Sequence, residues 1–231
     1  MTLERIVAGL VEDTGRRCYG KYRGTVVDND DPSRLGRLRL TVADVLGPEV
    51  VTGWATPCVP YGGAAGQGLL FIPEREAGVW VEFERGDTEF PIWVGTYWSR
   101  PGDESQVPKP RSDAGTEDAQ AVQSPPTAKI LATLKGHTIQ LEDADGKERV
   151  LVREGSRGHL LTMDQSGVTV TDAGGNTVSL TDDGIRITDA TGNSLQMSAD
   201  AVTLTAKTPL TINAAGQSVT VVADSIDLKK G

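Results

Sequence analysis

The sequence predicts an all-β protein made of two unlike parts, a small N-terminal barrel and a long C-terminal array of short strands. Two observations lead to this prediction. All eleven aromatic residues lie within residues 1–98, so the two parts must build their cores from different side chains. After residue 130, apolar residues occupy every second position in short bursts separated by Gly, Asn and Asp, which is typical of strands joined by turns.

Residues 1–20 are predicted to form a docking segment or a short helix. Leu3, Ile6, Val7 and Leu10 have the spacing of one helical face. The segment contains acidic residues and lacks the long apolar core of a signal peptide, and no apolar run of about 18 residues could span a membrane. We therefore expect synthesis in the cytoplasm as a soluble chain.

Residues 21–98 are predicted to form a small closed barrel of the OB type. Closure would remove the exposed edges of a small sheet. Turn-forming segments such as DNDDPSRLG and YGGAAGQG separate the strand candidates. The six candidates are YRGTVVDN, GRLRLTV, TGWATPCVP, GLLFI, GVWVEFE and FPIWVGTYW.

Residues 99–129 are predicted to be an extended linker. They contain five prolines and only two residues from the Val/Ile/Leu group, which is typical of a segment without a packed core. The segment is too short to hold another folded domain.

Residues 130–231 contain an internal repeat. Eleven apolar bursts run from Ile139 to Leu228, and from Leu161 onwards two interleaved sets of apolar residues recur every 17 positions. The turns repeat as well, because TDAGGN at 171–176 is followed by TDATGN at 188–193. The repeat predicts a regular strand array but leaves open whether it is a parallel coil or an antiparallel meander.

This repeat predicts a three-chain β-helix, or β-prism, in which the chains are intertwined. Each 17-residue unit carries two bursts, which is too few for one chain to enclose a core, whereas three copies could each supply one wall. A narrow axis would suit aliphatic side chains and exclude aromatic ones. The predicted trimer core is Leu161, Met163, Val168, Val170, Val178, Leu180, Ile185, Ile187, Leu195, Met197, Val202, Leu204, Ile212, Val219, Val221, Ile226 and Leu228.

Four ordered segments carry a family resemblance: DNDDPSRLGRLRLTV (28–42), GWATPC (53–58), the stretch 61–87, and FPIWVGTYW (90–98). They resemble the OB-fold domain of the phage baseplate assembly protein V and VgrG spike family. GHTIQLEDADGKERV (136–150) resembles the segment that opens the β-helical spike of VgrG proteins. The landmark residues are Asp31, Pro32, Gly36, Arg37, Trp54, Gly68, Pro73, Phe83, Gly86, Asp87, Pro91 and Gly95.

The resemblance implies a homotrimeric central spike of a contractile injection machine, such as a phage tail, a tailocin, a type VI secretion system or an extracellular phage-tail-like particle. The OB collar would sit on the hub and inner tube, and the prism would pierce the target membrane during contraction. The chain has no hub domain ahead of the OB region, which implies a separate hub protein. It lacks a His-x-His motif near its end, so the resemblance implies a PAAR-type protein at the tip.

No enzymatic, cofactor or metal role is predicted for any residue. No Ser–His–Asp or Cys–His arrangement is visible, and His137 and His159 are expected to be turn or surface residues. The net charge of −9 disfavours an OB-fold nucleic-acid binder, a hypothesis that filter binding at low salt would test. Cys18 and Cys58 are expected to be buried free thiols.

An alternative function is that of a trimeric β-helical tailspike acting on surface polysaccharide. Such enzymes carry aromatic subsites and paired carboxylates on the helix. The C-terminal part has no aromatic residue, which disfavours this alternative.

Overall fold

The computed structural model describes residue 15, residues 17–117 and residues 125–229. The predicted N-terminal helix lies outside the described residues. The described chain is almost entirely β, with a single-turn helix, α1, at Ala43–Leu46, so the all-β prediction is confirmed. The chain separates into two compact units, Met1–Val107 and Pro108–Gly231.

The first unit contains a five-stranded curled sheet with the order β2–β1–β4–β5–β3. Strands β3 and β5 are parallel, and the other neighbouring pairs are antiparallel. Backbone bridges from Leu38 to Ala55 and from Thr41 to Val51 bring the two outer strands together, as an OB barrel requires. The strands are β1 (Tyr22–Asp28), β2 (Arg39–Thr41), β3 (Thr56–Pro57), β4 (Gly78–Phe83) and β5 (Pro91–Thr96).

One of the six predicted barrel strands is wrong. GLLFI at 68–72 forms no strand, and Leu70 is 82% exposed. The backbone N–H of Leu69 donates to the carbonyl of Tyr61 at 3.0 Å, so this stretch closes a loop on itself instead of pairing with the barrel. The prediction that both cysteines are buried is also wrong, because Cys58 is exposed and Cys18 is half-buried.

Alternation along the strands builds the barrel core. In β4, Val79, Val81 and Phe83 are buried and the residues between them are half-exposed, as expected for a strand with one face inward. Burying such a side chain fully contributes about 1.5–3 kcal/mol. The buried core cluster is Val26, Leu38, Leu40, Val42, Ala55, Val79, Val81, Phe83 and Trp93.

The second unit contains a nine-stranded antiparallel meander in which each strand pairs with the next along the chain. This resolves the strand direction that the sequence left open. Strands β9, β11 and β13 begin at residues 160, 177 and 194 and so follow the 17-residue repeat. The strands are β6 (Ala128–Ala132), β7 (Thr138–Glu142), β8 (Arg149–Arg153), β9 (Leu160–Asp164), β10 (Gly167–Thr171), β11 (Thr177–Thr181), β12 (Gly184–Thr188), β13 (Ser194–Met197) and β14 (Val202–Thr205).

The strand array differs from the prediction at both ends. It starts earlier, because β6 covers Ala128 and Lys129 of the predicted linker. It also ends earlier, because residues 206–229 contain no strand although three of the eleven predicted bursts lie there. No helix of the described chain is both long and apolar enough to cross a membrane.

Candidate assembly interface

Two columns of aliphatic side chains run along one face of the C-terminal sheet. Directly paired residues of antiparallel strands project to the same face, so the register identifies both columns. One column contains Leu141, Val150, Met163, Val168, Leu180, Ile185, Met197 and Val202. The other contains Leu131, Ile139, Val152, Leu161, Val170, Val178, Ile187, Leu195 and Leu204.

The structure brings together the twelve predicted core residues from Leu161 to Leu204. The five others, Ile212, Val219, Val221, Ile226 and Leu228, lie beyond β14 in the stretch without strands. The predicted trimer core omits five members of the columns. The two-residue spacing marks them, but the 17-residue repeat does not extend to them because the turns are longer there. They are Leu131, Ile139, Leu141, Val150 and Val152.

No residue in the described part of the chain covers these columns. Val170 in the middle of the sheet is 47% exposed, and Leu204 on the last strand is 59% exposed. The opposite face carries polar side chains at the paired positions, for example Thr169, Ser179 and Gln196. The sheet therefore has one polar face and one aliphatic face, and no described residue forms a second layer over the aliphatic face.

Glycines allow the tight turns at one end of the strands. Gly167 and Gly184 have φ values of +133° and +114°. A Cβ at Gly184 would lie 2.0 Å from the carbonyl oxygen of Met197, and a Cβ at Gly167 would meet that of Leu180 at the same distance. Only glycine allows both the backbone conformation and this close approach. Ala201 occupies the next position of the series, and the turn there is longer, spanning 198–201 instead of two residues.

Polar side chains link the turns at the other end of the strands. His159, Asn176 and Asn193 end three successive turns, 17 residues apart, and each accepts a hydrogen bond from a backbone N–H of the following turn. Each turn is thus tied to its neighbour in addition to the strand pairing. The donors are the N–H groups of Ala173, Ala190 and Lys207, at 3.2, 3.1 and 2.6 Å.

Histidines and asparagines have the same role in this series. His137 also accepts through Nδ1, from the N–H of Gly155 at 3.2 Å. Both histidines therefore lie in turns, as the sequence predicted. The described residues contain no group of three or more His, Cys, Asp or Glu that could hold a metal ion.

The turn carboxylates bind their own backbone. Asp189 accepts from Nδ2 of Asn193 at 2.7 Å and from the backbone N–H groups of Asn193 and Thr191. The hydrogen bond from the Asn193 side chain is the main cause that lowers the pKa of Asp189 to about 2. Asp172 makes the equivalent contacts with Asn176 one repeat earlier, and its pKa is also lowered.

In the barrel, Asp31 and Arg37 of the landmark residues form an ion pair in which Asp31 is buried and Arg37 is half-buried. Nη2 of Arg37 lies 2.7 Å from Oδ1 of Asp31, and Nε of Arg37 donates to the same carboxylate. The backbone N–H groups of Ser33 and Leu35 also donate to it. The Arg37 hydrogen bonds hold the pKa of Asp31 well below its ordinary value, against the opposing effect of burial. The pair closes the loop that leads into β2.

Two other landmarks hold this loop against the barrel. Gly36 has φ +71°, and its carbonyl accepts the indole N–H of Trp93 at 3.1 Å. The guanidinium of Arg37 lies over the ring of Trp54, 5.7 Å from its centroid. Pro32, by contrast, is exposed.

The remaining landmarks lie at strand ends and turns of the barrel. Phe83 is in the core, and Pro91 is buried at the start of β5. The carbonyl of Gly86 accepts the N–H of Cys18 at 2.8 Å. The carbonyl of Pro73 accepts a hydrogen bond from the side chain of Asn29, and the backbone N–H of Asp87 donates to the carbonyl of Glu84 and so closes the Glu84–Gly86 turn. Gly95 on β5 pairs with Trp80 on β4, and Gly68 lies close to the backbone of Tyr61.

Residues 22–98 match the family described as the type VI secretion system/phage-baseplate injector OB domain. The match spans all five barrel strands and the Asp31–Arg37 loop. No curated protein matches the chain. Residues 22–98 therefore belong to the injector OB-domain family, which confirms for this part of the chain the resemblance to baseplate V/VgrG-type proteins that the sequence indicated.

Proposed function

We propose that the chain is the structural central spike of a contractile injection machine and that it works as a homotrimer. The observation that carries this proposal is the aliphatic face of the C-terminal sheet, which is continuous over nine strands and is left uncovered by the residues that the structure describes. Three such walls with their aliphatic faces turned inward would enclose a three-chain β-prism. The role is mechanical and involves no turnover.

The energy available for this assembly is large. Twelve of the predicted core residues share this face, and completing the burial of each half-exposed side chain contributes about 1 kcal/mol. The predicted core alone would therefore contribute on the order of 10 kcal/mol per chain before the entropy of association is subtracted. An exposed aliphatic face of this extent on a monomer would favour aggregation.

The end of the chain supports the same proposal. Residues 206–229 keep the alternating apolar pattern but leave these side chains in water, and Leu228 is 94% exposed. Strands form when both their hydrogen bonds and one apolar face find partners. Neighbouring chains would supply both, and the distal repeats would then continue the prism.

The machine would supply the other partners. We propose that the OB domain docks on a separate hub protein at the inner tube and that a PAAR-type protein caps the C-terminal end. The spike would be made in the cytoplasm, reside in the assembled particle, and contact the target membrane only while puncturing it. The injector OB family of residues 22–98 supports assembly with baseplate components.

The mass of the purified chain in solution tests the proposal. We expect a heat- and SDS-resistant species of about three times the 24.5 kDa chain mass. Val170→Glu places a charge on the aliphatic face and should abolish this species. Thr169→Glu is the matched control, because it adds the same charge to the polar face of the same strand. A wild-type monomer, or equal effects of the two variants, would contradict the proposal.

A further inference from the structure

Residues 108–117 lie against the polar face at the start of the C-terminal sheet. They form a small turn closed by the hydrogen bond from the N–H of Ser112 to the carbonyl of Thr116 at 3.0 Å. The backbone N–H of Arg111 donates to Oε1 of Gln140 on β7 at 2.8 Å. Side chains of β8 hold the rest of the segment, through an ion pair from Arg149 to Asp113 and a hydrogen bond from Arg153 to the carbonyl of Ala114.

Beneath these contacts lies the most deeply buried part of the sheet. Leu151 is 0% exposed and stands between Arg149 and Arg153 on the same face of β8. Gln140 and Thr162, its paired neighbours on β7 and β9, are also buried. A single sheet cannot bury residues on a face open to water. Residues 108–117, which bind both arginines, therefore act as the cover over these buried side chains.

Gly115 fits this position closely. Its φ is +82°, and a Cβ added to it would lie 2.3 Å from Cζ of Arg153. The guanidinium is the flexible end of its side chain and could move aside, but it would then leave the carbonyl of Ala114, and a residue other than glycine would still strain the backbone at this positive φ. The contact depends on the shape of the segment and not only on its charges.

The chain is also held just before this segment, within the first unit. The N–H of Gln106 donates to the carbonyl of Ser99 at 3.1 Å, and Nε of Arg100 donates to the carbonyl of Asp103 at 2.8 Å. Only the four residues 107–110, with the sequence VPKP, separate Gln106 from Arg111. Two of the four are prolines, which restrict the backbone. Five Cα steps span at most about 18 Å.

We propose that residues 108–117 are a clasp that binds the polar face of the strand array, so that only residues 107–110 remain as the connection between the barrel and this array. Its purpose rests on the proposed function, because a spike must receive axial force from its collar and a shorter connection leaves less slack. The clasp itself requires only the contacts within the second unit.

Trypsin provides a direct test on the full-length protein. Within residues 99–128, Arg100 and Lys109 are each followed by proline, which trypsin does not cleave, so the bond after Arg111 is the susceptible one. In the wild type, we expect this bond to be resistant. Gln140→Ala and Gly115→Val should each raise its cleavage rate by about tenfold or more, since local opening controls access.

Gln196→Ala is the matched control for Gln140→Ala. Gln196 belongs to the same face and the same central column of the sheet, but it lies on β13, away from the clasp. Its replacement should leave cleavage after Arg111 unchanged. Rapid cleavage of the wild type, or no effect of Gln140→Ala and Gly115→Val, would overturn the clasp.

A protein whose bond after Arg111 is protected but that is monomeric would refute the proposed trimer and leave the clasp intact.

Discussion

Replacing Gly184 by alanine should destabilise the C-terminal sheet selectively. Gly184 starts β12 at φ +114°, and the added Cβ would lie 2.0 Å from the carbonyl oxygen of Met197 on β13. Real Cβ atoms do not approach a carbonyl oxygen this closely. The carbonyl oxygen belongs to the backbone and the Cβ position is fixed by the backbone of residue 184, so no rotamer change can relieve the clash and the β12–β13 pairing must open at this end.

The expected loss follows from two costs. A non-glycine residue in this backbone region costs about 1–3 kcal/mol. Moving the Met197 carbonyl would also break one or two ladder hydrogen bonds, each contributing about 1 kcal/mol. We therefore expect Gly184→Ala to lower the free energy of unfolding of the sheet by about 3–5 kcal/mol.

The distribution of aromatic residues makes the assay specific. All tryptophans and tyrosines lie in residues 1–98, so intrinsic fluorescence follows the barrel, whereas far-ultraviolet circular dichroism follows both parts. In guanidinium, the dichroism transition should move to lower denaturant while the fluorescence transition stays in place. Gly174→Ala is the control, because Gly174 has no positive φ and its nearest atom is the flexible Oδ1 of Asp172 at 3.2 Å. Equal midpoints for the Gly184→Ala protein and the wild type would refute the reasoning.

Three further predictions concern the barrel, acid and the alternative function. Phe83→Ala should lower the stability of the barrel by about 3–5 kcal/mol, seen in the fluorescence transition, with the sheet unaffected. The folded sheet lowers the pKa of Asp189 from 3.8 to about 2, so the ionised carboxylate stabilises the sheet fully above pH 4, and this stabilisation is lost as the pH falls towards 2. Asp189→Asn should therefore reduce the acid dependence of the dichroism transition between pH 4 and pH 2. Incubation with bacterial surface polysaccharide should release no reducing sugar, and any release that is proportional to protein concentration would favour the tailspike alternative.

Much of the fold could be predicted from local sequence. The strand candidates between turn-forming segments included all five barrel strands of the described chain, and the 17-residue repeat marked the strands from β9 to β14 together with their turns. These features depend on residues that are close together in the chain, so a single sequence is enough to predict them. GLLFI misled the prediction because its composition suits a strand, whereas its backbone bonds back to Tyr61.

The contacts that the sequence did not reveal are those between distant segments. Nothing in SDAGTE at 112–117 indicates that it would lie on β8, because the partners are two arginines about 36 residues further along that look like ordinary strand-edge charges. The landmark pair Asp31 and Arg37 was located by resemblance, but its burial and shared hydrogen bonds became visible only in the folded loop. The hydrogen bonds from turn to turn were likewise hidden, since asparagine and histidine do not look equivalent in a sequence.

Turns must hold the register of a sheet whose aliphatic face no described residue of its own chain covers. Side chains alternate with period two, so a slip by one residue would turn the aliphatic columns to the polar face. Two features of the turns oppose such a slip: the glycines at one end of the strands and the side-chain acceptors at the other. Both stop at the same repeat, because the positions that follow Gly184 and Asn193 by 17 residues are Ala201 and Leu210. Strands end at Thr205 although the apolar alternation continues.

If the turns define the sheet, restoring the lost turn should extend it. Residues 205–210 read TAKTPL where the preceding repeat has TDATGN, so replacing 206–210 by DATGN returns both the turn carboxylate and the asparagine acceptor. In the Val170→Glu background, where we expect a monomer, the replacement should slow amide hydrogen exchange at residues 211–214 by about tenfold or more. Unchanged exchange there would mean that strand pairing, and not the turns, determines where the sheet of a single chain stops.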